Sequence, residues 1–173
     1  MKKLLLTIAL VSSLFSNEFT VEKDYSSIKF EASKFMFVGV SGEFSNFSGS
    51  ITLDQNNKLS TINGLISVAS IDSKDEERDE HLRADDYFFE SKFPNIEFTS
   101  IEIDNNLLKA GVKIKGIEKE LFFKISDLSV SSENVSFTLR STVDRQEFML
   151  NGSMSGVMAD NVDVIAHIVA TKK

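Results

Sequence analysis

The chain has 173 residues, of which 26 are acidic and 19 are basic, giving a formal net charge of −7. This balance argues against nucleic acid or an anionic membrane surface as a partner, because both would repel the protein. The absence of cysteine excludes disulfides, thiol nucleophiles, cysteine-based zinc sites and a lipid-modified cysteine. The length suits one domain, and no linker or repeat divides the sequence.

The N-terminus has the composition of an export signal. Two lysines precede an apolar run at positions 4–11, and serines follow it. This order is typical of a cleaved secretory signal, and the run is too short to span a bilayer. We predict a signal peptide at 1–16 and an exported domain at 17–173, located in the periplasm or outside the cell. A retained N-terminal anchor is the alternative.

The first elements after the signal are predicted strands. Apolar side chains alternate with polar ones in the segments SIKFEASKF, VGVSGEFSNFSGSITLD and INGLISVASI. Alternation of period two is typical of strands with one buried face. The intervening sequence LDQNNKLS predicts a hairpin turn, because Asn56 and Asn57 tolerate left-handed backbone conformations.

Residues 74–84 interrupt the strand pattern and predict a short, highly charged helix. Ser73 and Glu76 fit the capping box S-x-x-E, and the segment contains no glycine, proline or β-branched residue. The helix has almost no apolar face before Leu82, so we expect it on the surface or across a barrel mouth. The aromatic run 87–89 is expected to pack against the barrel.

The charged face of this helix has two interpretations. Helical spacing places Glu77, His81 and Asp85 on one side, and such a set could hold a metal ion. No second histidine lies nearby in the sequence, which favours a solvated face instead. In that interpretation three residues form an ion-pair lattice that fixes the helix: Arg78, Asp79 and Arg83.

Strand signals resume after the helix and continue to the end of the chain. They lie in NIEFTSIEID, NNLLKAGVKIKG, KELFFKISDL, VSFTLRSTVDR and VDVIAHIVATK. The whole chain therefore contains eight or nine predicted strands joined by short turns. This pattern predicts a mainly β domain of antiparallel strands, either an up-and-down barrel or a curled sheet.

Catalytic motifs are missing from the sequence. It has no G-x-S-x-G elbow, no phosphate-binding P-loop and no dinucleotide fingerprint, and it holds only two histidines. We therefore predict that the protein is not an enzyme and needs no cofactor. A metal- or quinone-linked enzyme is kept as a minor alternative.

Two cations share a strand face with apolar residues. Lys34 follows the parity of Phe30, and Arg145 follows that of Phe137 and Val143. A cation facing an apolar interior is costly unless it meets an anion. Each cation either reaches water or an acid such as Asp79, or contacts the polar headgroup of a ligand.

Five segments carry a family resemblance: GVSGEFSNFSGSITLD (39–54), VASIDSKDEERDEHLRADDYFF (68–89), FPNIEFTS (93–100), KIKGIEKELFF (113–123) and VDRQEF (143–148). In this order they resemble the YceI-like family of exported, lipocalin-like proteins described as polyisoprenoid-binding. The resemblance implies an eight-stranded antiparallel barrel with a helix near one end and a long hydrophobic pore. It also implies a long isoprenoid or another fatty amphiphile as ligand. Dimers are known in the family, so a homodimer stays open.

Side-chain parity alone leaves open whether the barrel interior is filled or holds a ligand, since an eight-stranded barrel permits both. With the resemblance, we assign the lipid-binding pocket to Phe30, Phe44, Ile66, Phe98, Ile114, Phe123, Phe137, Leu139 and Phe148. Lys34 and Arg145 are the candidate headgroup contacts. Lys34 stands where family members often carry histidine.

The leading hypothesis is an exported carrier or sequestering protein for a long-chain isoprenoid or fatty amphiphile. Its partner would be a hydrophobic small molecule, without nucleic acid and without stable insertion into the membrane. The main alternative is a packed barrel that binds another protein through its charged helix.

Overall fold

The computed structural model describes residues 17–34, 38–152 and 158–172. The predicted signal peptide, residues 1–16, lies outside the described residues. The backbone of Lys34 is described, but the side chain of this predicted headgroup contact lies outside the described part of the chain.

Eleven strand segments and one α-helix are found in the described part of the chain. They are β1 (Asn17–Val21), β2 (Ser27–Lys34), β3 (Val38–Phe44), β4 (Phe47–Leu53), β5 (Leu59–Ser67), β6 (Ile71–Asp72), α1 (Glu76–Arg83), β7 (Asn95–Asp104), β8 (Leu107–Ile114), β9 (Ile117–Val130), β10 (Asn134–Asp144) and β11 (Met158–Lys172). Single 3-10 turns occupy Lys23–Tyr25, Val68–Ser70 and Arg145–Phe148.

The strand segments form a closed antiparallel barrel of eight staves. A stave is one strand position of the barrel, whether its strand is continuous or interrupted. Short interruptions divide three staves into the pairs β1–β2, β3–β4 and β5–β6, while β7 to β11 are one stave each. Each stave pairs with the next in the chain, and β11 pairs back onto β1 and β2. The prediction of an eight-stranded antiparallel up-and-down barrel with one charged helix is confirmed, and the curled open sheet is excluded.

The closing contact is made by the short strand β1. One edge of β1 pairs with β4, where Phe19 lies opposite Ile51, and the other edge pairs with β11, where Thr20 lies opposite Thr171. The Phe19 side chain points into the interior and is 1% exposed. The N-terminal strand thereby joins the first hairpin to the last strand and leaves no open edge between them.

The two ends of the barrel differ. The end at which β1 begins and β11 ends, called the terminus end, also carries the turns after β4, β7 and β9. The opposite end, called the helix end, carries α1 and the connections after β2, β8 and β10. At the terminus end the interior is a packed core, with Phe19, Ile51, Leu108, Val135 and Phe137 at most 1% exposed.

The helix begins later than the sequence pattern predicted. The N-cap is Asp75, whose side chain accepts a hydrogen bond from the Arg78 N–H, so the predicted capping box at Ser73 is wrong. The hydroxyl of Ser73 is used elsewhere, because it donates to the buried Asp79 carboxylate 2.5 Å away. This α-helix is too short and too polar to cross a membrane, and no other helix of the described residues could do so.

Truncating Phe19 should destabilise the protein strongly. Phe19→Ala removes a fully buried ring at the closing strand, and we expect a loss of about 3–5 kcal/mol in the free energy of unfolding. The matched control is Phe122→Ala on β9, since Phe122 is 58% exposed. Urea denaturation of both variants measures the difference, and equal losses would contradict the role given to Phe19.

Candidate functional site

An apolar cavity of about 230 Å³ occupies the half of the barrel nearest the helix end. All eight staves contribute side chains to its wall, and most of them are aliphatic or aromatic. Parity explains this composition, because every second residue of each strand points inward. The same parity that builds the packed core at the terminus end therefore builds a cavity wall at the helix end.

Aromatic rings form two clusters in the cavity wall. Phe44 lies between Phe30 and Phe88, with ring centroids 5.8 and 6.0 Å away. On the other side of the barrel, the Phe98 and Phe123 centroids are 5.3 Å apart in an edge-to-face arrangement. Such contacts favour defined orientations of the rings in the wall.

Most of the predicted pocket residues come together at this cavity. Seven of the nine line it: Phe30, Phe44, Ile66, Phe98, Ile114, Phe123 and Leu139. The other two, Phe137 and Phe148, are absent from its lining and are 0% exposed. Phe137 belongs to the packed core, and Phe148 lies in the 3-10 turn that packs against β9 and β11.

Several cavity residues were missed by the strand pattern because they come from the connections at the helix end. Leu82 of α1, Tyr87, Phe88 and Leu150 all line the cavity. The aromatic run at 87–89 predicted contact with the barrel, but nothing in its spacing indicated a place in the cavity wall. These side chains cover the helix end of the interior.

The guanidinium of Arg145 lies in the cavity wall and is bound to protein oxygens. Its side chain is almost completely buried, and the residue is 3% exposed. Nε donates to the Ala159 carbonyl at 3.0 Å, Nη1 to the Leu150 carbonyl at 2.7 Å and Nη2 to Asp160 Oδ1 at 3.1 Å. The acid that pairs with Arg145 is therefore Asp160, whereas the sequence suggested Asp79. These bonds hold together the start and end of the β10–β11 connection.

The helix charges pair differently from the predicted lattice of Arg78, Asp79 and Arg83. Asp79 Oδ1 accepts from the Ser73 N–H at 2.9 Å and from the Ser73 hydroxyl. Arg78 donates from Nε to Ser73 Oγ at 2.8 Å and from Nη2 to the Ser73 carbonyl at 2.6 Å. Arg83 is half-buried and forms no ion pair with any other described residue. Ser73 is thus the centre of the network, because its backbone and hydroxyl serve both neighbours.

The set proposed for a metal is not assembled. His81 Nε2 lies 3.1 Å from Asp86 Oδ2, so this histidine pairs with neither Glu77 nor Asp85. Within the described ranges, no three His, Asp or Glu side chains are grouped in a way that could hold a metal ion.

Tyr87 packs tightly over the connection between β10 and β11. The residue is 7% exposed, and its ring lies so close to Gly152 that a β-carbon there would collide with it. Burial raises the pKa of the Tyr87 phenol above its ordinary value. The positive charge of Arg145 opposes this rise in pKa, and the negative charge of Asp86 adds to it.

Removing the Asp79 carboxylate should weaken the fold around the helix. In Asp79→Ala, the Ser73 N–H and hydroxyl lose their acceptor in a site where Ser73 is 3% exposed. We expect a loss of about 1–3 kcal/mol in the free energy of unfolding, measured by urea denaturation. The control is Glu80→Ala at the next, exposed position, which should change stability little. Equal losses in the two variants would show that Asp79 has no special structural role.

The raised pKa of Tyr87 predicts a loss of stability at alkaline pH. Burial favours the neutral phenol, so its contribution is complete below about pH 10, the unfolded pKa, and declines as the pH rises through the folded pKa. Tyr25→Phe leaves Tyr87 as the single tyrosine of the chain. In this variant, absorbance titration should give a higher midpoint for native than for urea-unfolded protein. A native midpoint at or below the unfolded one would contradict the prediction.

Comparison with known proteins identifies the family. A model of the YceI-like domain matches residues 19–170. A UPF0312 protein of Staphylococcus aureus (strain N315) is 28% identical over 141 residues, which are 77% of this chain and 82% of that protein.

Solved structures share the barrel. BcnA of Burkholderia cenocepacia superposes with a TM-score of 0.77 at 22% identity, over 87% of this chain and 99% of that one. A polyisoprenoid binding domain of Saccharophagus degradans superposes with a TM-score of 0.72 at 13% identity, over 90% and 98% of the two chains. These likenesses show the fold, and the family model spans most of the sequence. The chain therefore belongs to the YceI-like family.

Proposed function

We propose that the protein is an exported carrier or sequestering protein for an amphiphile with an apolar chain, either an isoprenoid or a fatty compound. The observation that supports this function is the cavity of about 230 Å³ with an almost wholly apolar wall. An apolar space of this kind lets a ligand bury its chain without leaving polar groups unpaired. A fully packed barrel acting only through its surface would contain no such space.

The binding energy comes from burial of the chain. Removing apolar surface from water contributes roughly 25 cal/mol per Å², from which the cost of ordering the chain is subtracted. The phenylalanine clusters around Phe44 and Phe98 offer flat, weakly polar surfaces to such a chain. The Saccharophagus degradans neighbour is a polyisoprenoid binding domain, which supports the same class of ligand here.

The polar headgroup of the ligand would lie at the helix end. The terminus end is filled by the packed core, so the chain points toward that core and the headgroup away from it. Arg78 and Arg145 lie in the cavity wall and provide positive charge near the expected headgroup position. Lys34 ends β2 at the same end of the barrel, and its contact with a headgroup is part of this proposal.

Export is proposed from the sequence of residues 1–16 alone. The mass of the protein recovered from the cells that make it tests this step. A mass that corresponds to a chain starting near Asn17 supports export, and a mass that includes the first 16 residues contradicts it.

Native mass spectrometry tests the carrier function. The protein purified from its own cells should carry an apolar adduct, or should gain one when a prenyl phosphate is added. A spectrum of ligand-free protein that does not change on this addition would overturn the proposal.

Two neighbouring positions on β5 separate binding in the cavity from binding on the surface. Ile66 lines the cavity, and Leu65 is 43% exposed on the outer face. Ile66→Phe should fill part of the cavity and lower the affinity for a fluorescent apolar probe at least several-fold. Leu65→Phe is the matched control and should leave the affinity unchanged. Equal affinities of the two variants would show that the probe does not bind in the cavity.

A further inference from the structure

Toward the terminus end, the cavity is bordered by a layer of buried side chains, which we call the floor. Six staves contribute one residue each, and all six residues are at most 4% exposed: Phe19, Ile51, Ala110, Ile125, Phe137 and Ala170. None of them lines the cavity. On these six staves, the floor separates the cavity from the terminus end.

Neighbouring residues of the same parity show how sharply the cavity stops. On β10, Leu139 lines the cavity, and Phe137, two residues further toward the terminus end, does not. On β11 the same change occurs between Ile168 and Ala170. Packed floor side chains resist displacement, because moving them would open voids in a close-packed core.

The volume above the floor limits what the cavity can enclose. Apolar cavities of about 150 Å³ bind one benzene molecule, which has six carbons. In proportion, the 230 Å³ cavity encloses roughly nine or ten carbons of an apolar chain. A long isoprenoid exceeds this volume and would extend beyond the cavity.

We propose that the floor limits how much of a ligand chain the cavity can enclose, and we call it a length gauge for this reason. The ligands are then amphiphiles whose enclosed chain is about ten carbons long. This inference rests on the proposed function and deepens it by naming the chain length. Phe137 and Ile125 belong to the floor and set the depth of the cavity. Ala166, which lines the cavity from β11 without filling it, keeps the space above the floor open.

The length gauge has a measurable signature in a homologous series. Each methylene that enters the cavity should tighten binding about fourfold. Once the cavity is full, at roughly ten carbons, further methylenes stay outside and the affinity stops rising. The plot of affinity against chain length therefore has a break.

The experiment is isothermal titration calorimetry of delipidated protein with straight-chain fatty acids of six to sixteen carbons, used below their micelle concentrations. We expect the break near ten carbons for the unaltered chain. Ile125→Ala lowers the floor and should move the break to longer acids. Ala166→Leu fills space above the floor and should move it to shorter acids, in a variant that deletes no core atoms.

The control is Leu53→Ala, which also truncates a buried residue but lies at the terminus end, away from the cavity. Its break should coincide with that of the unaltered chain. Affinity that rises steadily up to sixteen carbons, or a break that neither Ile125→Ala nor Ala166→Leu moves, overturns the length gauge while leaving the carrier function intact. Failure of every acid to bind, together with an unchanged native mass spectrum with prenyl phosphate, overturns the carrier function and the gauge with it.

Discussion

The closed hydrogen-bond ladder through β1 is the constraint on which the rest of the structure depends. β1 is five residues long, yet it pairs with β4 on one edge and β11 on the other. Closure fixes the number of staves at eight and thereby the width of the interior. An eight-stranded barrel is just wide enough to be filled by its own side chains or to hold one small ligand. Which of the two occurs at a given depth depends on the size of the inward residues.

This protein uses both solutions in one barrel. Toward the terminus end, large inward residues such as Phe19 and Phe137 are almost fully buried and belong to the hydrophobic core. Toward the helix end, the wall includes Gly49, Gly64 and Ala166, and a cavity remains. One barrel thus combines a packed core with an apolar cavity.

The connections at the helix end finish the site. Ser73 and Asp79 fix the entry into α1, and Arg145 joins the two ends of the β10–β11 connection. Both networks satisfy buried polar groups within the protein, which is what makes their burial tolerable. They hold Leu82, Tyr87 and Leu150 over the cavity, so the apolar space has a defined cover at the end where a headgroup would lie.

The sequence by itself determined the strands, the inward face of each strand, and the position of the charged helix, because these depend on local periodicity and composition. Together with the family resemblance, these features predicted the eight-stranded barrel and placed seven of nine pocket residues on the cavity wall. Only the tertiary structure decided depth along the barrel axis: Phe137 and Leu139 share one parity, but one fills the core and the other faces the cavity. The sequence also could not predict which polar groups pair. Ser73 with Asp79, and Asp160 with Arg145, come together only because the connections fold back onto the barrel. Parity is a property of neighbouring residues, whereas depth and pairing depend on all eight staves closing together.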